Sequence, residues 1–291
     1  MILRQESGSD TRLNSKILVF YLTTFILSSV FYYLFYLSKS MEGIAGLYTL
    51  VFSWCPGIAG LSTQLIFNRS IRGLGWDKGK IIHLMQSYGL PFVYCLLIFS
   101  IVWVTGLGDF SFEQLNEAMQ TEFHWKGNAS AVSVIGYTIL YCLLISLIGG
   151  FFVLGEEIGW RGFLVPILAQ KVSFSKVALI SGITWAIWHY PLFFYAEYNT
   201  MTPLWFGIPC TTISIVAISY VLAWFRLKSG SIWTAVLIHT SHNLFMQEVF
   251  PSLTVNTKYT KYIIGEFGIG LVLVALFLAF FFWKKRNQLA Y

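Results

Sequence analysis

Apolar residues in this chain run in long blocks, with polar residues confined between them. Eight stretches approach the ~20 residues a bilayer crossing needs: 17–37, 44–66, 86–107, 132–154, 177–196, 204–225, 231–249 and 262–283. Each predicts a membrane-spanning helix. Together they predict an all-α, polytopic membrane bundle of about eight helices. The second block contains Pro56 and several glycines, which predicts a kink. The seventh is the most polar, with Thr234, His239, Thr240, Ser241, His242 and Asn243. A span that polar has to face protein or a wet cavity. Met1–Lys16 is polar, and 17–37 is longer than the core of a signal peptide, so it reads as the first span.

The residues between the blocks predict an orientation. If the N-terminus is cytoplasmic, fifteen of the 19 lysines and arginines fall in cytoplasmic segments, from Arg4, Arg12 and Lys16 to Lys284, Lys285 and Arg286. Only Lys39, Lys126, Lys258 and Lys261 fall on the other side. The longest outer loop, about 108–131, is acidic, with Asp109, Glu113, Glu117 and Glu122. This bias predicts both termini in the cytoplasm.

Composition agrees with the blocks. The 291 residues are 56% hydrophobic, 18% aromatic and 11% charged, against about 25% charged in ordinary soluble domains. The net charge of +6 sits in the orienting loops, which argues against a nucleic-acid partner. Cys55, Cys95, Cys142 and Cys210 all lie in apolar runs without a CxxC pair and read as small buried hydrophobes. The many aromatic residues read as lipid-facing or interfacial.

Where charge is this scarce, carboxylates at membrane depth point to chemistry, because each costs roughly 2.5–3.5 kcal/mol to insert. Gly155-Glu156-Glu157-Ile158-Gly159-Trp160-Arg161-Gly162 closes the fourth block. Glu157 and Arg161 are i,i+4 and can pair on one helix face, while Glu156 is rotated about 100° away. Trp185 and His189 repeat the i,i+4 spacing in the fifth block, as do His239 and Asn243 in the seventh. Counted from the cytoplasmic side, the two histidines lie about 12–18 Å deep at ~1.5 Å per residue. One cavity opening from that leaflet could therefore gather Glu156, His189, His239 and Asn243. A glutamate beside a histidine can take a proton from water, and a histidine and an asparagine amide can stabilise an oxyanion. Glu156, His189 and His239 also form an acceptable zinc set, with water as fourth ligand. The residues alone leave both options open. Glu266 and His242 read as packing groups outside the chemistry.

These motifs, in this order, resemble the CPBP family of intramembrane endopeptidases, which includes the type II CAAX-processing endopeptidases and relatives linked to bacteriocin processing. Glu156, Glu157 and Arg161 match its Glu-Glu-x-x-x-Arg motif. Trp185 and His189 match Phe-x-x-x-His with tryptophan for phenylalanine, and His239 and Asn243 match His-x-x-x-Asn. The likeness covers about 132–249. Hydropathy and charge alone give a cytoplasmic tail at 1–16, N-terminal spans over 17–131, and a last span with a basic tail over 250–291; a catalytic membrane core over 132–249 is what the resemblance adds. It implies hydrolysis of a peptide bond in a membrane-associated or lipidated substrate, in a multi-pass protein of a prokaryotic cell membrane. By the same resemblance Glu156 and His189 activate water, His239 and Asn243 form the oxyanion hole, and Glu157, Arg161 and Trp185 support them. A proton-coupled carrier using buried Glu and His, and a non-catalytic binding protein, are the alternatives.

Overall fold

The apolar blocks become helices in the computed structural model, which describes residues 2–41, 44–124, 130–199 and 201–289. Lys126, one of the four lysines expected on the outer side, lies outside the described residues. The long helices are α1 (Ile2–Ser38), α2 (Ile44–Asn68) and α3 (Ile81–Thr105). A short α4 (Phe112–Phe123) precedes α5 (Ala131–Glu157), which continues through a π-helical segment, Ile158–Leu164, into α6 (Val165–Ala169). Then follow α7 (Phe174–Tyr195), α8 (Leu204–Ser229) and α9 (Trp233–Asn243). A second π-helical segment, Leu244–Val249, joins α9 to α10 (Phe250–Ser252), and α11 (Ile269–Lys284) ends the bundle.

Six of these helical runs are long and apolar enough to cross a membrane: Thr11–Ser38, Gly46–Asn68, Ile81–Thr105, Ala131–Ala169, Phe174–Tyr195 and Leu204–Ser229. The seventh and eighth expected spans are shorter as regular helices: α9 has 11 residues before its π segment and α11 has 16. Outward-facing apolar side chains mark the lipid face. On α5, Val132, Ile135, Ile139, Leu143, Leu147 and Phe151 are all exposed at helical spacing. A surface this continuous and apolar belongs in hydrocarbon. The chain is an all-α, multi-pass integral membrane protein.

The acidic segment after α3 carries a strand and a helix within residues 108–123. Strand β1 (Gly108–Phe110) pairs antiparallel with β2 (Thr254–Asn256), Asp109 opposite Val255. Ser111 caps α4 by accepting from the Gln114 amide at 3.1 Å. Leu115 and Met119 then pack on Val134.

Aromatic residues also depart from expectation, because many are interior. Trp160, Trp188, Phe20, Phe52 and Phe163 are buried in the main core. Phe52 of α2 stacks on Trp188 of α7 at 4.1 Å between centroids. The Trp188 indole donates to Ser28 Oγ at 2.8 Å, and Tyr32 donates to the Trp188 carbonyl at 2.6 Å. Helices α1 and α2 are thus fixed to α7 one residue before His189.

The tightest crossing brings α2 against the end of α5. A Cβ on Gly155 would stand 2.7 Å from Trp54 Cα, and one on Gly159 would stand 2.5 Å from the Pro56 carbonyl carbon. Small residues four apart allow helix backbones to approach this closely in membranes. Gly159→Ala should lower stability by about 1–3 kcal/mol through overpacking, read as a lower thermal midpoint in detergent. An unchanged midpoint would show that the crossing can open at no cost.

Candidate active site

The site forms where two helices change character. Helix α5 widens into its π segment immediately after Glu157, and α9 does so immediately after Asn243. Such segments often mark functional positions, because one extra residue per turn re-aims the side chains. From Glu157 to Val165 every residue is buried, whereas Glu156 is partly open. The two adjacent carboxylates therefore meet different surroundings.

Glu157 points into protein. Its Oε1 accepts from Arg161 Nη1 at 2.9 Å and from His239 Nδ1 at 2.9 Å. Arg161 Nη2 also donates to Ser219 Oγ on α8 at 3.3 Å. The Arg161 guanidinium carbon lies 4.1 Å from the centroid of the Trp185 ring. A charge-assisted pair of this kind resolves the cost of burying each ion alone. The i,i+4 spacing predicts the Glu157–Arg161 contact. The His239 contact spans 82 residues and is visible only in the fold.

Glu156 points into a cavity. Its Oε2 accepts from Trp185 Nε1 at 2.8 Å. Trp185 joins most of these groups. Its indole N–H meets Glu156, its face meets Arg161, and its ring lies 5.2 Å from that of His239. Its carbonyl accepts from His189 Nδ1 at 2.9 Å.

Both histidines are oriented through Nδ1. A carbonyl and a carboxylate can only accept, so each Nδ1 carries the proton. In a neutral ring Nε2 is then the free lone pair. The His189 ring is held between Trp188, edge-on at 4.9 Å, and Tyr198, stacked at 5.9 Å with 25° between planes.

Glu156, His189, His239 and Asn243 all line one cavity of about 260 Å³. Phe52, Val153, Leu192, Ile218, Leu222 and Leu271 supply much of its apolar wall. Asn243 Oδ1 is buried and has no hydrogen-bond partner among the described residues. The zinc set does not close: among the described residues no three His, Cys, Asp or Glu side chains are grouped to hold a metal ion.

His242 and Glu266 belong to the same cavity, contrary to the reading that set them aside. His242 Nδ1 is 2.6 Å from the Tyr94 hydroxyl, and its Nε2 is 3.8 Å from Glu266 Oε1. Glu266 Oε2 accepts from Tyr198 at 3.0 Å, and Oε1 accepts from Gln247 Nε2 at 2.5 Å. The i,i+3 spacing of His239 and His242 on α9 was a usable signal for His242. Nothing in the spacing of Tyr198, Gln247 and Glu266 announces their meeting.

The fold and the cavity define a multi-pass membrane protein with an acid, histidines and an amide gathered in a largely apolar chamber. Comparison with known proteins gives that chamber its class. Residues 123–245, which contain every motif residue from Glu156 to Asn243, match the family described as type II CAAX prenyl endopeptidase Rce1-like. The chain is also 28% identical over 267 residues to CAAX prenyl protease 2 of the archaeon Methanococcus maripaludis, covering 86% of this chain and 89% of that relative. Over these residues the chain is similar to type II CAAX prenyl endopeptidases, and it is a membrane protease, a hydrolase of peptide bonds.

Proposed function

We propose that this protease cleaves a peptide bond near the membrane-anchored end of a lipidated protein or peptide, with Glu156 activating the water. The observation that supports this most is the convergence of Glu156, His189, His239 and Asn243 on one cavity. The name of the archaeal relative supports a prenylated substrate. The apolar wall suits a lipid-tethered chain, and the arginine and lysine bias supports entry from the cytoplasmic leaflet.

The contacts support the following chemistry. Water sits between the Glu156 carboxylate and the lone pair on His189 Nε2. As its oxygen bonds to the scissile carbonyl carbon, its proton passes to Glu156. The carbonyl oxygen becomes an oxyanion beside His239 Nε2 and the Asn243 amide. His239 donates from Nε2 in its imidazolium form, whose charge is paired with Glu157 through Nδ1. The intermediate collapses when the C–N bond breaks and the proton on Glu156 passes to the leaving amine. Glu157, Arg161 and Trp185 hold this geometry and exchange no proton.

The test is hydrolysis by the purified, membrane-reconstituted protein of matched peptides with and without a prenylated cysteine. New termini would be identified by mass spectrometry. Cleavage restricted to, or at least tenfold faster on, the prenylated members is expected. Failure to cleave any lipid-anchored peptide would overturn the proposal.

A further inference from the structure

We propose that Glu266 is a positioning residue that acts on the reaction through Tyr198, holding the His189 ring against the water site. This rests on the role proposed for His189. The geometry is a chain of contacts that ends on that imidazole. Glu266 lies in the turn between β2 and α11, outside the matched residues 123–245. The left-handed Gly265, at φ +77°, and a hydrogen bond from Thr211 Oγ1 to the Glu266 carbonyl at 3.2 Å fix that turn against α8. The side chain then reaches back into the cavity, where Tyr198 O–H donates to Oε2 at 3.0 Å. The other face of this link is the stack of Tyr198 on His189 at 5.9 Å.

Two further contacts brace Glu266. Gln247 donates to Oε1 from the π segment that follows Asn243, at 2.5 Å. His242 approaches the same oxygen at 3.8 Å and is itself held by buried Tyr94 at 2.6 Å. Glu266 therefore ties the α7–α8 connection, which carries Tyr198, to α9, which carries His239 and Asn243. Burial and the Glu266 carboxylate push the Tyr198 phenol well above its ordinary range, so it stays an O–H donor aimed at Glu266. Without that anchor the phenol loses its fixed direction. The imidazole then keeps its Nδ1–H bond to the Trp185 carbonyl but can swing about it, and Nε2 leaves the line to the water.

The experiment compares Glu266→Ala, Glu266→Gln, Tyr198→Phe and the double variant Tyr198→Phe/Glu266→Ala with wild type on a cleaved lipid-anchored peptide. Expected for Glu266→Ala and Tyr198→Phe is a kcat lower by on the order of ten- to a hundredfold, the range for losing a group that orients a reacting histidine. KM should stay within about twofold. Glu266→Gln keeps an oxygen for the Tyr198 hydroxyl and should recover most of the loss. The double variant should lose no more than the worse single one, because both act along one chain. A raised KM with unchanged kcat would make Glu266 a substrate contact, and additive losses would separate it from Tyr198; either overturns the proposal. Imidazole 15N NMR gives an activity-independent arm, with the His189 signals identified by their loss in His189→Gln. Those signals should shift in Tyr198→Phe and Glu266→Ala, and unmoved signals would overturn the proposal even if no peptide were cleaved. Absence of cleavage by wild type itself would count against the proposed function alone.

Discussion

Glu156→Gln should lower peptide hydrolysis by about 10²–10⁴-fold, the range associated with a positioned general acid–base. Glutamine keeps the shape and leaves an oxygen to accept from the Trp185 indole, so the 2.8 Å contact survives. What disappears is the ability to take a proton from water and return it to the leaving amine. The folded state should be untouched, because Glu156 faces the cavity and makes no other hydrogen bond among the described residues. Rates on a prenylated peptide, measured beside thermal midpoints of the same preparations, check both halves. Hydrolysis at the wild-type rate would remove Glu156 from the mechanism and leave His189 as the base.

Arg161→Met produces the largest expected effect on stability, about 3–5 kcal/mol, because it leaves a buried carboxylate without its fixed cation. Arg161 and Glu157 are both wholly buried and 2.9 Å apart. Methionine fills similar space, so packing loss is small and the uncompensated charge dominates. The paired change Glu157→Gln/Arg161→Met should be more stable than Arg161→Met alone, since it removes the stranded charge. It should still be inactive, because the glutamine oxygen can accept from His239 Nδ1 but carries no charge to hold the ring in its imidazolium form. Unfolding midpoints of the three proteins decide this, and equal stability of the single and paired variants would sink the charge argument.

The fold class was legible because a bilayer imposes block length on the sequence, and the blocks at 86–107 and 204–225 became α3 and α8 within a few residues. The motif residues were legible for a related reason. Polar groups at membrane depth are rare, so i,i+4 pairs such as Glu157 and Arg161 stand out. Four features were not. The π segments at Ile158–Leu164 and Leu244–Val249 have no periodic signature, since one inserted residue does not alter composition. The β1–β2 pair joins residues nearly 150 apart and is only three residues long on each side, too short to show alternation. A cap signal for α4 was present in Ser111 and Gln114 but lay in a segment read as loop. Glu266 reaches the cavity by long-range packing, and no local spacing could place it beside Tyr198.

Gly155 and Gly159 flank the two carboxylates, so a single turn of helix holds both the closest crossing in the bundle and the acid assigned to the reaction. The two demands share an address. A screen that scored only lost activity would recover alleles of the glycines beside those of Glu156 and could not tell an unseated α2 from a missing base. The thermal midpoint separates them, since Glu156→Gln keeps that of the wild type and Gly159→Ala lowers it. The turn is also closed to gradual change: any side chain larger than hydrogen at either glycine pushes α2 away, and the carboxylate between them moves with it.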